Sequence, residues 1–173
     1  IGKLRLKRQK EFNYSFIKKK IIKLKLSDLK DKSLLSEKVA LSASIIAKDK
    51  KIRDIVHKFQ KFYANNPPSR YAGIVLDGRD IITVQMKDAN FKFFITASLI
   101  IRAKRRYEEY KKLKKVANYQ DILKSLKKRD ESDQNRKHGP LKKTRDSVLI
   151  STDNRSIKSV FLKIKRIMNK KNN

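Results

Sequence analysis

The chain has 173 residues, a formal charge of +30 from 47 Lys and Arg against 17 Asp and Glu, no cysteine and two histidines. That length suits one domain with a real core, and the composition excludes a disulfide framework, a thiolate nucleophile and a zinc cluster. No apolar run reaches the length of a membrane span and no secretory signal is visible, so a cytoplasmic protein without a membrane partner is expected.

In chain order, residues 1–25 are strongly basic, with Phe12, Phe16, Ile17, Ile21 and Ile22 at helical spacing. They read as a helix packed on one face or as a basic tail. Residues 34–47 predict a helix of small and apolar residues. Residues 50–64 predict an amphipathic helix with Ile52, Ile55, Val56, Phe59 and Phe62 inward, stopped by Asn65-Asn66-Pro67-Pro68. Gly73-Ile74-Val75-Leu76-Asp77 is a short apolar run ending in an acid, which predicts a buried parallel strand. Phe91–Thr96 predicts a second strand, followed by a helix from about Ser98 to Val116. Asn118 is placed to cap a further helix through Arg129, and Gly139-Pro140 breaks the pattern. Val148–Thr152 predicts a third strand, and Ser156–Met168 a closing helix. Strands alternating with helices argue for an α/β fold with a parallel sheet, in one domain spanning 1–173.

Charge alone favours a polyanion partner, and a basic RNA-binding or ribosome-associated protein is the alternative that explains +30 most directly. The 34 Lys are scattered through every segment and read as solvated surface, whereas the 13 Arg are the informative subset. A guanidinium fork suits bidentate phosphate recognition and an ammonium does not. Four groups stand out: Ser44 with Arg53 (SIIAKDKKIR), Asp77-Gly78-Arg79-Asp80 (VLDGRDIITV), Arg102 to Arg106 (TASLIIRAKRR), and Arg129 to Arg136 (RDESDQNR) ahead of Pro140-Leu141. Each has an ordinary reading when taken singly. Asp80 reads as a turn cap with Arg79 solvated. The helix carrying Arg102, Arg105 and Arg106 reads as an ion-paired surface, and Arg129 to Arg136 as a self-paired exposed face. His57 and His138 are read as non-functional.

In this order and spacing the four groups resemble the bacterial cytidylate kinases, P-loop nucleoside monophosphate kinases, from about Leu34 to Ile164. The resemblance implies phosphoryl transfer from ATP to CMP or dCMP, giving CDP or dCDP, with ATP and Mg²⁺ as cofactors. It implies small-molecule partners rather than nucleic acid, and a monomer. Carried over residue by residue, it makes Ser44, Arg53 and Asp80 readers of the cytosine edge, and Arg79 and Arg136 clamps on the CMP phosphate. Arg129 and Asp133 become sugar contacts, their i,i+4 spacing putting them on one helical face. Arg102 and Arg106 hold ATP from a lid over residues 98–138. Asp77 orients the site or helps to hold hydrated Mg²⁺, and residues 23–66 form a helical region on the nucleoside-monophosphate side. No protein-only metal site is expected.

The implied fold is a P-loop kinase-like parallel sheet flanked by helices, with the first (phosphate-loop) and second strands missing from this chain. The family opens with a GxxxxGK[ST]-type loop, an acid-Ser/Thr-Gly segment and a Tyr-Arg pair, and none is present; the glycines are Gly2, Gly73, Gly78 and Gly139. A truncated chain, inactive by itself, is therefore expected. In the family's 2-3-1-4-5 sheet order the absent first strand lies between Gly73–Asp77 and Phe91–Thr96. Two outcomes follow: a marginally stable fragment, or direct pairing of those two strands. Ile82 stands where the family usually has Gly, Gln85-Met86-Lys87 replaces a more apolar stretch, and Lys137-His138-Gly139 replaces small apolar residues. The stretch 23–36 is too short for the antiparallel insert of many relatives and resembles the compact variant.

Overall fold

The structure, a computed structural model, describes residues 1–172, which form two compact units, Ile1–Asp77 and the described residues from Gly78 onward. The first is helical: α1 (Gly2–Lys7), α2 (Tyr14–Ile22), α3 (Glu37–Ile46) and α4 (Lys50–Asn65), with short 3₁₀ turns over 26–30 and 32–35. Helix starts follow the side chains that can accept from free backbone N–H groups. Asn13 accepts from Phe16, Ser36 from Val39 and Asp49 from Ile52. The apolar stripe of α4 turns Ile52 inward against Ile17 and Ile46, with Phe12, Ile55 and Val56 around them. Helix α1 packs on α3 at Gly2, where a Cβ would stand 2.6 Å from the Val39 carbonyl oxygen, so the close approach requires glycine.

The second unit holds β1 (Phe93–Thr96), α5 (Leu99–Lys112), α6 (Tyr119–Asn135), β2 (Val148–Ser151) and α7 (Ile157–Asn172). β1 and β2 pair in parallel, Phe93 opposite Val148 through Thr96 opposite Ser151, with α5 and α6 in the crossover. The strand pair and its helices are thus α/β, as the alternating pattern predicts. Ser98 caps α5 and Asn118 caps α6. Ile150 and Ala103 are fully buried. Among the described residues no helix is long and apolar enough to cross a membrane.

One strand prediction is corrected. Gly73–Asp77 is irregular chain, with Ile74 37% and Val75 97% exposed, and among the described residues the sheet consists of β1 and β2. The direct pairing expected for Gly73–Asp77 and Phe91–Thr96 presupposes a strand at Gly73–Asp77, and none is there. An apolar run with no ladder neighbour leaves every backbone N–H and C=O to solvent, so strand propensity has nothing to act on. Smaller differences have local causes. α6 continues past Arg129 to Asn135, because Asp133 and Arg136 are tied to neighbouring residues. α5 stops at Lys112, and Lys114 then takes a positive φ of 52°. Phe62, expected inward, is 61% exposed and lies edge-on to Tyr63.

Candidate functional site

The segment that opens the second unit, Gly78-Arg79-Asp80, leads into one five-residue π-type turn over Ile81–Gln85. The Asp80 carbonyl accepts from Val84 N–H at 2.9 Å, and its side chain does not cap the turn. That carboxylate is buried, 5% exposed, and accepts from Gln85 Nε2 at 3.3 Å. Such turns insert an extra residue per turn and recur where a side chain must be re-aimed. Here the extra residue swings Gln85 back onto Asp80.

Helix α6 supplies the other half. Arg129 and Asp133, at i and i+4, share one face of the helix, and Arg136 follows as its C-terminal capping residue. Asp133 is the hub: its Oδ2 accepts from Arg79 Nε at 2.9 Å and lies 3.9 Å from Arg129 Nε, and its Oδ1 lies 3.5 Å from Arg136 Nη1. Arg136 Nη2 is in turn 4.0 Å from Asp80 Oδ1. Two details of the loop after α6 fix Arg136. Gly139 adopts a φ of 60°, a region that favours glycine, and its carbonyl accepts from Arg136 Nε at 2.6 Å. The Leu141 N–H returns to the Asp133 carbonyl at 2.7 Å, satisfying an acceptor at the helix end.

Five of the predicted residues, Arg79, Asp80, Arg129, Asp133 and Arg136, therefore form one cluster, although Arg79 and Asp133 are 54 positions apart. Three guanidinium groups against two carboxylates leave a positive surplus. The side chains of Arg79 and Arg129 are 39% and 50% exposed, while Arg136 is 15% exposed. Such an arrangement holds planar cations rigid from behind and presents their outer N–H groups to an anion, with little reorganisation when it arrives.

Arg102 and Arg106 sit on α5, facing different partners. Arg102 donates from Nε to the Ala97 carbonyl at 2.9 Å, and from both Nη atoms to the Asp130 carboxylate at 3.0 and 2.6 Å. Arg106 pairs with Glu109 at 2.8 Å and lies over the Tyr110 ring. Burial pulls the Arg106 pKa down, and its hydrogen bonds to Glu109 and Tyr110 outweigh that, leaving it above the ordinary value. Arg105 reaches the loop after β2, donating to the Thr152 hydroxyl at 3.0 Å and to the Thr152 carbonyl. In that loop Asp153 accepts from the Ser98 N–H at 2.6 Å, which holds its carboxyl below the usual range.

The remaining candidates belong to the first unit. Ser44 is half-buried on α3. Arg53 is 9% exposed on α4 and donates to the Ala47 carbonyl at 3.3 Å, a cation at the end of α3 where the helix dipole favours it. Asp77 is exposed at the end of the irregular Gly73–Asp77 stretch. Sequence reasoning missed Gln85, Asp130 and the Gly139 carbonyl as parts of these constellations. Asp130 was legible as an acid one residue from Arg129, but the other two depend on turn geometry that no pattern of residue types displays.

Among the described residues no three His, Cys, Asp or Glu side chains are grouped as a metal cage. The donor set suits a Mg²⁺ that arrives on phosphates and keeps most of its water, with one protein carboxylate near it at most.

The family model described as cytidylate kinase matches residues 4–170. The chain is 52% identical over 96 residues to a cytidylate kinase of Clostridium botulinum (strain Loch Maree / Type A3), covering 56% of this chain and 44% of that one. It is 42% identical over 139 residues to a cytidylate kinase of Bartonella bacilliformis, covering 80% and 63%. Against a cytidylate kinase of Brucella ovis it is 40% identical over 139 residues, covering 80% and 62%. The matched part is thus less than two thirds of each of these relatives.

Proposed function

The chain belongs to the cytidylate kinase family, and on that premise we propose that it serves phosphoryl transfer from ATP to CMP or dCMP, giving CDP or dCDP. The observation that carries the reading is the gathering of Arg79, Arg129 and Arg136 on the Asp133 carboxylate. Transfer between two phosphates asks little covalent chemistry of a protein; it asks for charges held in line while cations neutralise what develops. Arg79 and Arg136 are the clamps on the CMP phosphate, and Arg129 with Asp133 takes the sugar. The buried Asp80 reads the base, its carboxylate accepting from the exocyclic amine of cytosine, which uracil lacks; for Ser44 and Arg53 the base-reading role is supported by the family resemblance alone. Arg102 and Arg106 act on the ATP side, and Asp77 is the carboxylate nearest in role to a phosphate-borne Mg²⁺, which would supply charge neutralisation when bound. The sequence contains no GxxxxGK[ST] loop, so the backbone cradle for the ATP phosphates is not among these residues.

Binding of CMP to the folded chain, followed by calorimetry, tests the reading without needing turnover. CMP and dCMP bind and UMP binds more weakly; Arg79→Ala and Arg136→Ala each lower CMP affinity at least about tenfold, the loss of one charge-assisted contact. A folded chain that takes up no CMP refutes the assignment. The formal charge of +30 supports a second reading, a nucleic-acid surface. Under it, RNA affinity falls steeply with salt and is indifferent to Arg136→Ala.

A further inference from the structure

Arg102 is held from two sides at the carboxyl end of β1, the end of a parallel sheet at which α/β proteins bind ligands. The Ala97 carbonyl takes its Nε–H, and the Asp130 carboxylate takes one N–H from each Nη in a fork-to-fork pair. A guanidinium has five N–H donors, so three are committed and two remain. Three contacts from two elements fix both the position and the plane of the group. The pair is not sealed in: the side chains of Arg102 and Asp130 are 33% and 30% exposed, so the remaining donors are within reach of a ligand. Asp130 stands on α6 three residues before Asp133, so one helix carries the acid that anchors Arg102 and the acid on which Arg79, Arg129 and Arg136 gather.

We propose that Asp130 is a positioning residue that presents Arg102 to a polyphosphate ligand, acting through the two-pronged bond rather than by touching the ligand. This rests on reading Arg102 as the ATP-side contact. The alternative for the same geometry is a carboxylate that competes with phosphate for Arg102, and the two differ in sign. A positioning carboxylate strengthens anion binding when present because the guanidinium has no orientation left to lose. A competing one weakens it.

The test uses the full chain and two readouts: ¹⁵N relaxation of the Arg102 Nε–H group, and calorimetric titration with inorganic tripolyphosphate, for wild type, Asp130→Asn and Asp130→Glu. Wild-type Arg102 shows an order parameter near that of rigid backbone, about 0.85, and Asp130→Asn drops it below about 0.6. Tripolyphosphate affinity falls about tenfold in Asp130→Asn, the scale of one charge-assisted bond, and Asp130→Glu recovers both properties. Arg102→Lys, which keeps the charge without the fork, reproduces the affinity loss and serves if Asp130→Asn does not fold. Equal order of Arg102 in wild type and Asp130→Asn, unchanged or tighter tripolyphosphate binding, or no binding to wild type overturns the proposal. CMP titrated in parallel keeps the two readings apart. Absent CMP binding with the Asp130 effects intact removes the proposed function alone; intact CMP binding without them removes this inference alone.

Discussion

Arg79 Nε donates to Asp133 Oδ2 across 2.9 Å, joining the Gly78-Arg79-Asp80 segment to the last turns of α6. The carboxylate also lies within 3.9 Å of Arg129 and 3.5 Å of Arg136, and its side chain is only 12% exposed. Removing its charge leaves three guanidinium groups with Asp80, 4.0 Å from Arg136, as the remaining carboxylate of the cluster. Asp133→Asn is therefore expected to destabilise the chain by about 1–3 kcal/mol, toward the lower end because Arg79 and Arg129 are partly solvated. The shift of the urea midpoint measures it. Added sulfate should recover part of the loss by occupying the vacated charge, and a midpoint equal to wild type would remove Asp133 from the centre of the cluster.

Gly139 offers a backbone test of the same site. Its φ of 60° is costly for an L side chain, on the order of 1–2 kcal/mol, and its carbonyl is what Arg136 Nε holds. Gly139→Ala should lower the melting temperature and weaken CMP binding together, because relaxing the strain moves the carbonyl away from Arg136. Gly73→Ala is the control: an added Cβ there meets nothing within 4 Å, so neither property changes. Calorimetry and thermal unfolding on both variants decide it.

These relationships show where the sequence was readable. Helix starts were legible wherever a capping side chain stood at the boundary, as at Ser98 and Asn118, since capping is decided within four residues. The parallel strands β1 and β2 were legible because apolar runs bounded by turns have a partner here. Gly73–Asp77 has the same local pattern and no partner, and it is irregular. Strand formation depends on a neighbour, and local composition does not reveal one. For the cluster, i,i+4 spacing placed Arg129 and Asp133 on one face, but joining them to Arg136 and, across 54 positions, to Arg79 came from resemblance. The back-turned Gln85 was illegible because a π-type turn breaks the 3.6-residue spacing on which such reasoning relies.

Acidification should loosen the second unit at a defined place. Asp153 accepts from the Ser98 N–H, and this bond, with smaller help from the Ser98 and Ser151 side chains and Arg105, lowers its pKa from the ordinary 3.8. A carboxyl whose folded pKa is depressed adds stability that is present above its unfolded pKa and lost as pH falls through the folded one. The contribution is thus constant at neutral pH and disappears below about pH 4. Hydrogen-exchange protection at the first turn of α5, taken relative to the intrinsic rate at each pH, should fall there in wild type. Asp153→Asn should show the lower protection already at pH 6, with no further change attributable to this site on acidification. Exchange that is equally slow in the variant at pH 6 would mean that Ser98 alone holds the helix start.

Under the proposed function, base preference would rest on Asp80 and, by the same geometry, on Gln85. The Gln85 amide donates to Asp80 Oδ1 at 3.3 Å, and Arg136 Nη2 stands 4.0 Å from the same oxygen. Cytosine discrimination requires an acceptor of fixed direction, because a carboxylate free to rotate also tolerates a carbonyl with water between. Asp80→Ala should bring the CMP and UMP affinities toward equality by removing the acceptor. Gln85→Leu should lower the CMP-to-UMP ratio more modestly, by about threefold, roughly 0.6 kcal/mol, the scale of one long hydrogen bond that orients the carboxylate indirectly, and leave phosphate binding intact. Competition binding with both nucleotides separates the cases. A ratio unmoved by Asp80→Ala would place base reading elsewhere, and an Asp80 effect without a Gln85 effect would mean that Arg136 alone orients the carboxylate.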